Sequence, residues 1–134
     1  MKLATGLMLG ALVFAQSAAV VVPDLATAKW THDARDGSDS VFLRQDPKTG
    51  AMDLLVRYPA GHKLAAHWHT VNERLILLEG RLVVKVGDGP ETAISPGGLV
   101  FAPAKEAHSM ICAAASKCTF YIAWDGKLDN HRVQ

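Results

Sequence analysis

The chain is 134 residues long, enough for one small domain, and its 14 lysine and arginine residues against 13 aspartate and glutamate give a formal net charge of +1. With 49% hydrophobic and 20% charged residues it is neither a disordered acidic chain nor a basic polyanion binder. No basic cluster or aromatic-basic stripe is present, which excludes nucleic acid as a partner, and no internal repeat or low-complexity linker divides the chain.

Residues 1–28 read as a signal-peptide region. Lys2 supplies a short positive start, and Leu3 to Phe14 form an apolar stretch too short to cross a bilayer. Ser17-Ala18-Ala19 and Ala26-Thr27-Ala28 both fit a cleavage site, so cleavage is expected after Ala19 or Ala28. An uncleaved N-terminal membrane anchor is the competing reading. Cleavage makes the product periplasmic or secreted, with no stable membrane insertion. Lys2 and Asp24 cancel, so the charge survives it.

Residues 29–134 form the folded domain, and from residue 41 onward strand signals dominate. Val41–Gln45 and Ala51–Tyr58 flank the turn Asp46-Pro47-Lys48-Thr49-Gly50, and Leu64–His69, Arg74–Leu78 and Arg81–Val86 follow. Asp88-Gly89-Pro90 marks a sharp turn before Leu99–Ala102, Ala107–Cys112 and Cys118–Trp124. Short strands with frequent turn signals predict an all-β sandwich or barrel, and no helical period competes. Gly126–Gln134 is polar and reads as a surface tail. Cys112 and Cys118 flank a five-residue hairpin tip. A disulfide between them is expected in an exported chain; the alternative is a free Cys112 thiol on the strand face of His108.

The stretch Gly61-x5-His67-x-His69-x3-Glu73-x6-Gly80 carries the chemistry. Side chains two apart on a strand share a face, so His67 and His69 project together and Trp68 points away. Two imidazoles and a carboxylate gathered on one face are the inventory of a transition-metal site. A second stretch, Gly97-x5-Pro103-x-Lys105-x2-His108-x3-Cys112, adds a third histidine.

The first spacing resembles the first motif of the cupin family, and the second resembles its second motif. Lys105 and Cys112 stand where the family has glycine and asparagine. The resemblance implies a double-stranded β-helix, a jelly-roll-like barrel, with His67, His69, Glu73 and His108 as ligands to one divalent transition metal ion. Fe, Mn, Ni, Cu and Zn all suit such a set. The segment from Pro59 to His69 is also similar to the cupins of anti-sigma factors.

Strand parity extends the site. Leu75 and Leu77 share the parity of Glu73, and Met110 that of His108; Phe101 and Tyr121 are expected to join them as pocket lining, with plain core as the competing reading. Ile76 and Leu78 fall on an outer face that needs cover, from the segment around Trp30 or from a second subunit in a homodimer. His32, His62 and His131 fit no ligand spacing, Arg57 reads as an outward charge, and Lys105 and Glu106 as a solvated turn.

Three neutral imidazoles and one carboxylate leave two adjacent octahedral positions open and a net Lewis acid behind them. Together with this, the cupin resemblance implies a mononuclear metal-dependent enzyme of dioxygenase type, acting on a small enol, diol or carboxylate. Glu73 is the sole candidate general base, besides being a ligand. The alternatives are a non-catalytic metal-binding or ligand-sensing cupin, and a cupin isomerase.

Overall fold

The computed structural model describes residues 18–134; most of the expected signal segment, residues 1–17, lies outside the described residues. Among the described residues there is no helix. Strands run in the order β1 (Thr31–Asp33), β2 (Ser38–Gln45), β3 (Met52–Tyr58), β4 (Lys63–Trp68), β5 (Glu73–Glu79) and β6 (Leu82–Val86). They continue with β7 (Thr92–Ile94), β8 (Leu99–Ala102), β9 (His108–Cys112), β10 (Cys118–Trp124) and β11 (His131–Arg132).

Two antiparallel sheets face each other. One has the order β1-β2-β3-β10-β5-β8 and the other β11-β4-β9-β6-β7. Period-two alternation explains which residues meet between them. In β5, Glu73, Leu75 and Leu77 are buried while Arg74 and Leu78 are exposed. In β9, His108, Met110 and Cys112 are buried in the same way. Strand β10 sits between β3 and β5 and is buried at every position except Tyr121. The core joins Val56, Leu75, Leu77, Phe120, Ile122 and Trp124 of one sheet to Leu82, Val84, Met110 and Cys112 of the other. Burying each larger aliphatic side chain contributes about 1.5–3 kcal/mol.

The turn between β5 and β6 is pressed onto the β9–β10 hairpin. Gly80 there has φ +86°, and a Cβ on it would run into the carbonyl oxygen of Lys117. Glycine is the residue that tolerates both demands. Beneath that turn Cys112 and Cys118 are joined as a disulfide, with Cα atoms 5.8 Å apart.

The segment before β1 lies over the outer face of the larger sheet. Val20, Val22 and Leu25 line a groove with Leu43, Leu55 and Leu78. Trp30 donates from Nε1 to the Leu25 carbonyl at 3.1 Å, and the Arg57 guanidinium stacks 3.9 Å above its ring. Arg57 therefore points outward, as its alternation suggests.

Two expectations need correction. Gly126–Gln134 is not a loose tail: it contains β11, which pairs His131 with Trp68 and Arg132 with His67. Phe101 and Tyr121 do not line the interior. Register decides both: Ala102 lies opposite Glu73 and Phe101 opposite Arg74, while Trp124 lies opposite Glu73 and Tyr121 opposite Ile76. Phe101 and Tyr121 thus share the outer face with Ile76, and Phe101 is 55% exposed.

Candidate metal centre

Three strands bring four side chains together at one end of the barrel. His67 comes from β4, His69 from the residue just past it, Glu73 opens β5 and His108 opens β9. His67 and His108 are directly opposite each other in the β4–β9 ladder. The loop after β4 is tied to the loop before β9: the Lys105 amide donates to the His69 carbonyl at 2.7 Å, and the Ala104 amide to Asn72 Oδ1 at 2.9 Å. Those bonds hold the two halves of the site in one place.

All four side chains are buried, and their ligand atoms lie within 4.8 Å of one another. The imidazole centroids are 5.0 Å apart for His67 and His69, 4.4 Å for His67 and His108, and 5.1 Å for His69 and His108. Each histidine donates from Nδ1 to a main-chain carbonyl, because a carbonyl can only accept. His67 donates to Ala65 at 2.8 Å, His108 to Glu106 at 3.0 Å, and His69 to Asp129. With Nδ1 carrying the proton, Nε2 of each neutral ring is an unprotonated donor toward a metal.

Glu73 Oε2 lies 2.9 Å from His69 Nε2 and 3.6 Å from His108 Nε2. The first approach is short but not aligned as a hydrogen bond, so both nitrogens are buried without a hydrogen-bond partner. Buried polar atoms left unpaired are costly, and two beside a carboxylate fit a metal ion. Trp124 Nε1 donates to Glu73 Oε2 at 2.9 Å and fixes the carboxylate from the adjacent strand. Burial opposes ionisation of Glu73, but the His108 and His69 imidazoles outweigh it and bring its pKa down to about 2. Burial also works against charging His69, yet Glu73 and the Asp129 carbonyl raise its pKa above the ordinary 6.5. Burial lowers that of His67.

The site opens into a cavity of about 430 Å3. Leu54, Val56, Leu64, Met110, Phe120 and Ile122 wall it, and Asp33, Arg35 and Asp36 stand among its polar residues. Arg35 is engaged by Asp33 at 2.5 Å, so that cation is already neutralised. Tyr58 also lines the cavity; burial pushes its phenol pKa up to about 12, and its hydroxyl makes no hydrogen bond among the described residues. Of the expected lining residues, Met110 is on the cavity wall, while Leu75 and Leu77 belong to the packed core.

Three participants escaped the sequence reading: Trp124, Tyr58 and Asp129. Tyr58 sits next to a motif glycine loop and Trp124 on an apolar strand, and neither carries a spacing signal. Asp129 lies in the stretch assigned to a tail. The other histidines have local partners: His32 with Asp39 at 2.8 Å, His62 stacked on Tyr58 at 4.2 Å and His131 stacked on Trp68 at 4.0 Å.

Residues 18–126 match the family of ChrR cupin-like domains, and the chain belongs to that family. Its fold is shared by structures of low sequence identity. The polyketide cyclase RemF from Streptomyces resistomycificus superposes with a TM-score of 0.67 at 16% identity, covering 86% of either chain. The DMSP lyase DddQ from Ruegeria pomeroyi gives 0.63 at 20% identity, over 78% of this chain and 59% of that one. The complex of Rhodobacter sphaeroides SigE with the anti-sigma ChrR gives 0.62 at 19%, over 76% of this chain and 51% of the matched one. The chain thus spans about half to three fifths of the latter two. No curated protein matches.

Proposed function

We propose that this protein is an exported, mononuclear metal-dependent enzyme of dioxygenase type for a small enol, diol or carboxylate. The observation that carries the reading is the buried set of three imidazoles and one carboxylate, two of its nitrogens unpaired, beside a cavity walled in part by aliphatic and aromatic side chains. His67, His69, Glu73 and His108 would hold the ion, and four protein ligands leave two octahedral positions for a chelating molecule. A bound divalent metal supplies Lewis acidity and redox chemistry there.

The chain's own residues do the rest. The aliphatic and aromatic walls keep water from the reacting groups. With no free cation among the cavity's residues, a polyanion is poorly received, and the fit is to a compact, mostly apolar molecule with one oxygen-bearing head. Tyr58 offers that molecule a neutral hydroxyl that stays protonated at any physiological pH. Glu73, with a pKa of about 2, is a weak proton acceptor near neutrality, which supports a ligand role over that of general base.

A second reading, a non-catalytic metal- or ligand-sensing domain, is favoured by the family match and by the likeness to the anti-sigma complex. Metal content of protein isolated without added metal separates the two. About one equivalent of Fe, Mn, Ni or Cu, lost in the His67→Ala/His69→Ala variant and weakened in Glu73→Gln, with oxygen uptake on catechol- or flavonol-like compounds, supports the enzyme. Zinc without turnover supports the sensor, turnover without oxygen an isomerase, and no metal after reconstitution removes the enzyme reading and leaves a barrel that binds small molecules by shape.

Export to the periplasm or beyond is supported by the apolar start of the chain and by a disulfide suited to an oxidising compartment. No helix among the described residues is long and apolar enough to cross a membrane. Exposed Leu99 and Phe101 on the outer face support a homodimer.

A further inference from the structure

We infer that Asp129 is a positioning residue for the metal centre, and that the chain after Gly126 latches His69 in its ligating orientation. The inference rests on the metal-centre reading above. His67 and His108 take their Nδ1 acceptors from carbonyls two residues away, so the local backbone sets those rings. His69 is different: its acceptor, the Asp129 carbonyl, is 60 residues distant in sequence and belongs to the last segment of the chain.

That carbonyl is held by the same residue's side chain. The Thr70 amide donates to Asp129 Oδ1 at 2.8 Å and the Thr70 hydroxyl to Oδ2 at 2.6 Å. His131 Nε2 donates to Oδ2 at 3.1 Å while its ring stacks on Trp68 at 4.0 Å. The residues on either side of His69 are therefore clamped to the segment that supplies its carbonyl. Among the described residues, a two-residue strand and a Val133 amide bond to the Ala66 carbonyl at 3.3 Å are the ladder contacts that anchor the segment. Side-chain clamping by Asp129 consequently decides where the carbonyl sits. Leu128 and Asn130, flanking Asp129, line the cavity, so one short segment sets both a ligand's orientation and part of the wall.

Outer partners of ligating histidines typically govern metal affinity by 10–100-fold. Asp129→Ala in the full chain should weaken Co(II) binding at least about tenfold and alter the visible Co(II) spectrum. Asp129→Asn, which keeps an acceptor for the Thr70 amide, should restore most of both. Melting of the metal-free proteins separates this from general destabilisation: a lowered melting temperature with unchanged affinity and spectrum overturns the latch. The ring 15N signals of metal-free protein at pH 8 give a test that needs no metal. The wild type should show His69 as the Nδ1–H tautomer, with mixed tautomers in Asp129→Ala, or in Thr70→Val if the alanine variant does not fold. A wild-type His69 protonated on Nε2 overturns the proposal whatever the metal does. Failure of the wild type itself to bind Co(II), with Nδ1–H intact, removes the metal-centre reading and the latch with it, whereas equal binding by Asp129→Ala removes the latch alone.

Discussion

Lys105 shows how one residue carries the conflict between a motif and its execution. It is the only non-glycine among the described residues with positive φ, at +67°. The sequence resemblance has glycine at this place, and the backbone keeps the glycine conformation although the side chain has changed. The left-handed region costs a side-chain-bearing residue roughly 1–2 kcal/mol. The loop still closes because the Lys105 amide binds the His69 carbonyl and the Glu106 amide binds the Pro103 carbonyl at 3.1 Å. Lys105→Gly should therefore raise stability by about 1 kcal/mol, read as a higher denaturation midpoint in urea, with metal affinity unchanged. A lower midpoint would mean that the lysine side chain contributes more than its backbone costs. At the same scale, Glu79 is half-buried and accepts from the Thr119 hydroxyl at 2.8 Å.

At the scale of elements, the β9–β10 hairpin is the joint between the two sheets, since β9 lies in one and β10 in the other. The Cys112–Cys118 bond closes its tip. Closing a loop this short restricts the unfolded chain by about 2 kcal/mol. A Cys112→Ser/Cys118→Ser variant should lose at least that much in urea denaturation, and reduction of the wild type should match it. An unchanged midpoint would show that the hairpin needs no staple. Strand content was legible from turn signals, the shared face of His67 and His69 from pleated-strand spacing, and the full set with Glu73 and His108 only through the resemblance to the cupin motifs; the structure brings all four together. Cross-strand register was not legible. Nothing in Leu99–Ala102 says that Ala102 rather than Phe101 lies opposite Glu73, because both are apolar and only pairing decides. The latch was hidden for a similar reason: Lys127–Gln134 is mostly polar, with only Leu128 and Val133 apolar, and its partners are about 60 residues away.

For the whole molecule, charge state links fold and metal. Glu73 has a folded pKa of about 2 against an ordinary 4.5, so it stabilises the fold above 4.5 and that contribution disappears as pH falls through 2. The raised pKa of His69 stabilises the metal-free fold below 6.5 and stops doing so as pH rises through the raised value; the lowered pKa of His67 acts oppositely, costing stability below 6.5. The two histidines act in opposite directions, and Glu73 adds a buried carboxylate to the groups that make the fold acid-sensitive. Metal-free protein should lose melting temperature between pH 4.5 and 2, and Glu73→Gln should flatten that decline. Metal affinity should follow His69, because protons compete for its ring already above 6.5. Titration with chelator present should show affinity climbing through neutral pH, and retention at pH 4 would contradict the ligand assignment. The N-terminal segment bears on processing: Val20, Val22 and Leu25 cover Leu43, Leu55 and Leu78, so cleavage after Ala19 keeps that cover and cleavage after Ala28 strips it. The mature protein is expected to begin at Val20, which N-terminal sequencing checks; a start at Lys29 would leave the groove bare.

The middle of the larger sheet is β10, which follows all of its sheet partners in the sequence. Before it emerges, β1–β2–β3 and β5–β8 have nothing between them, and neither half of the sheet can find the other. Pairings this remote in sequence form slowly. The larger sheet thus stays in two parts until β10 is available. For the export proposed above, this strand order keeps the larger sheet open, and the chain threadable, until β10 is available.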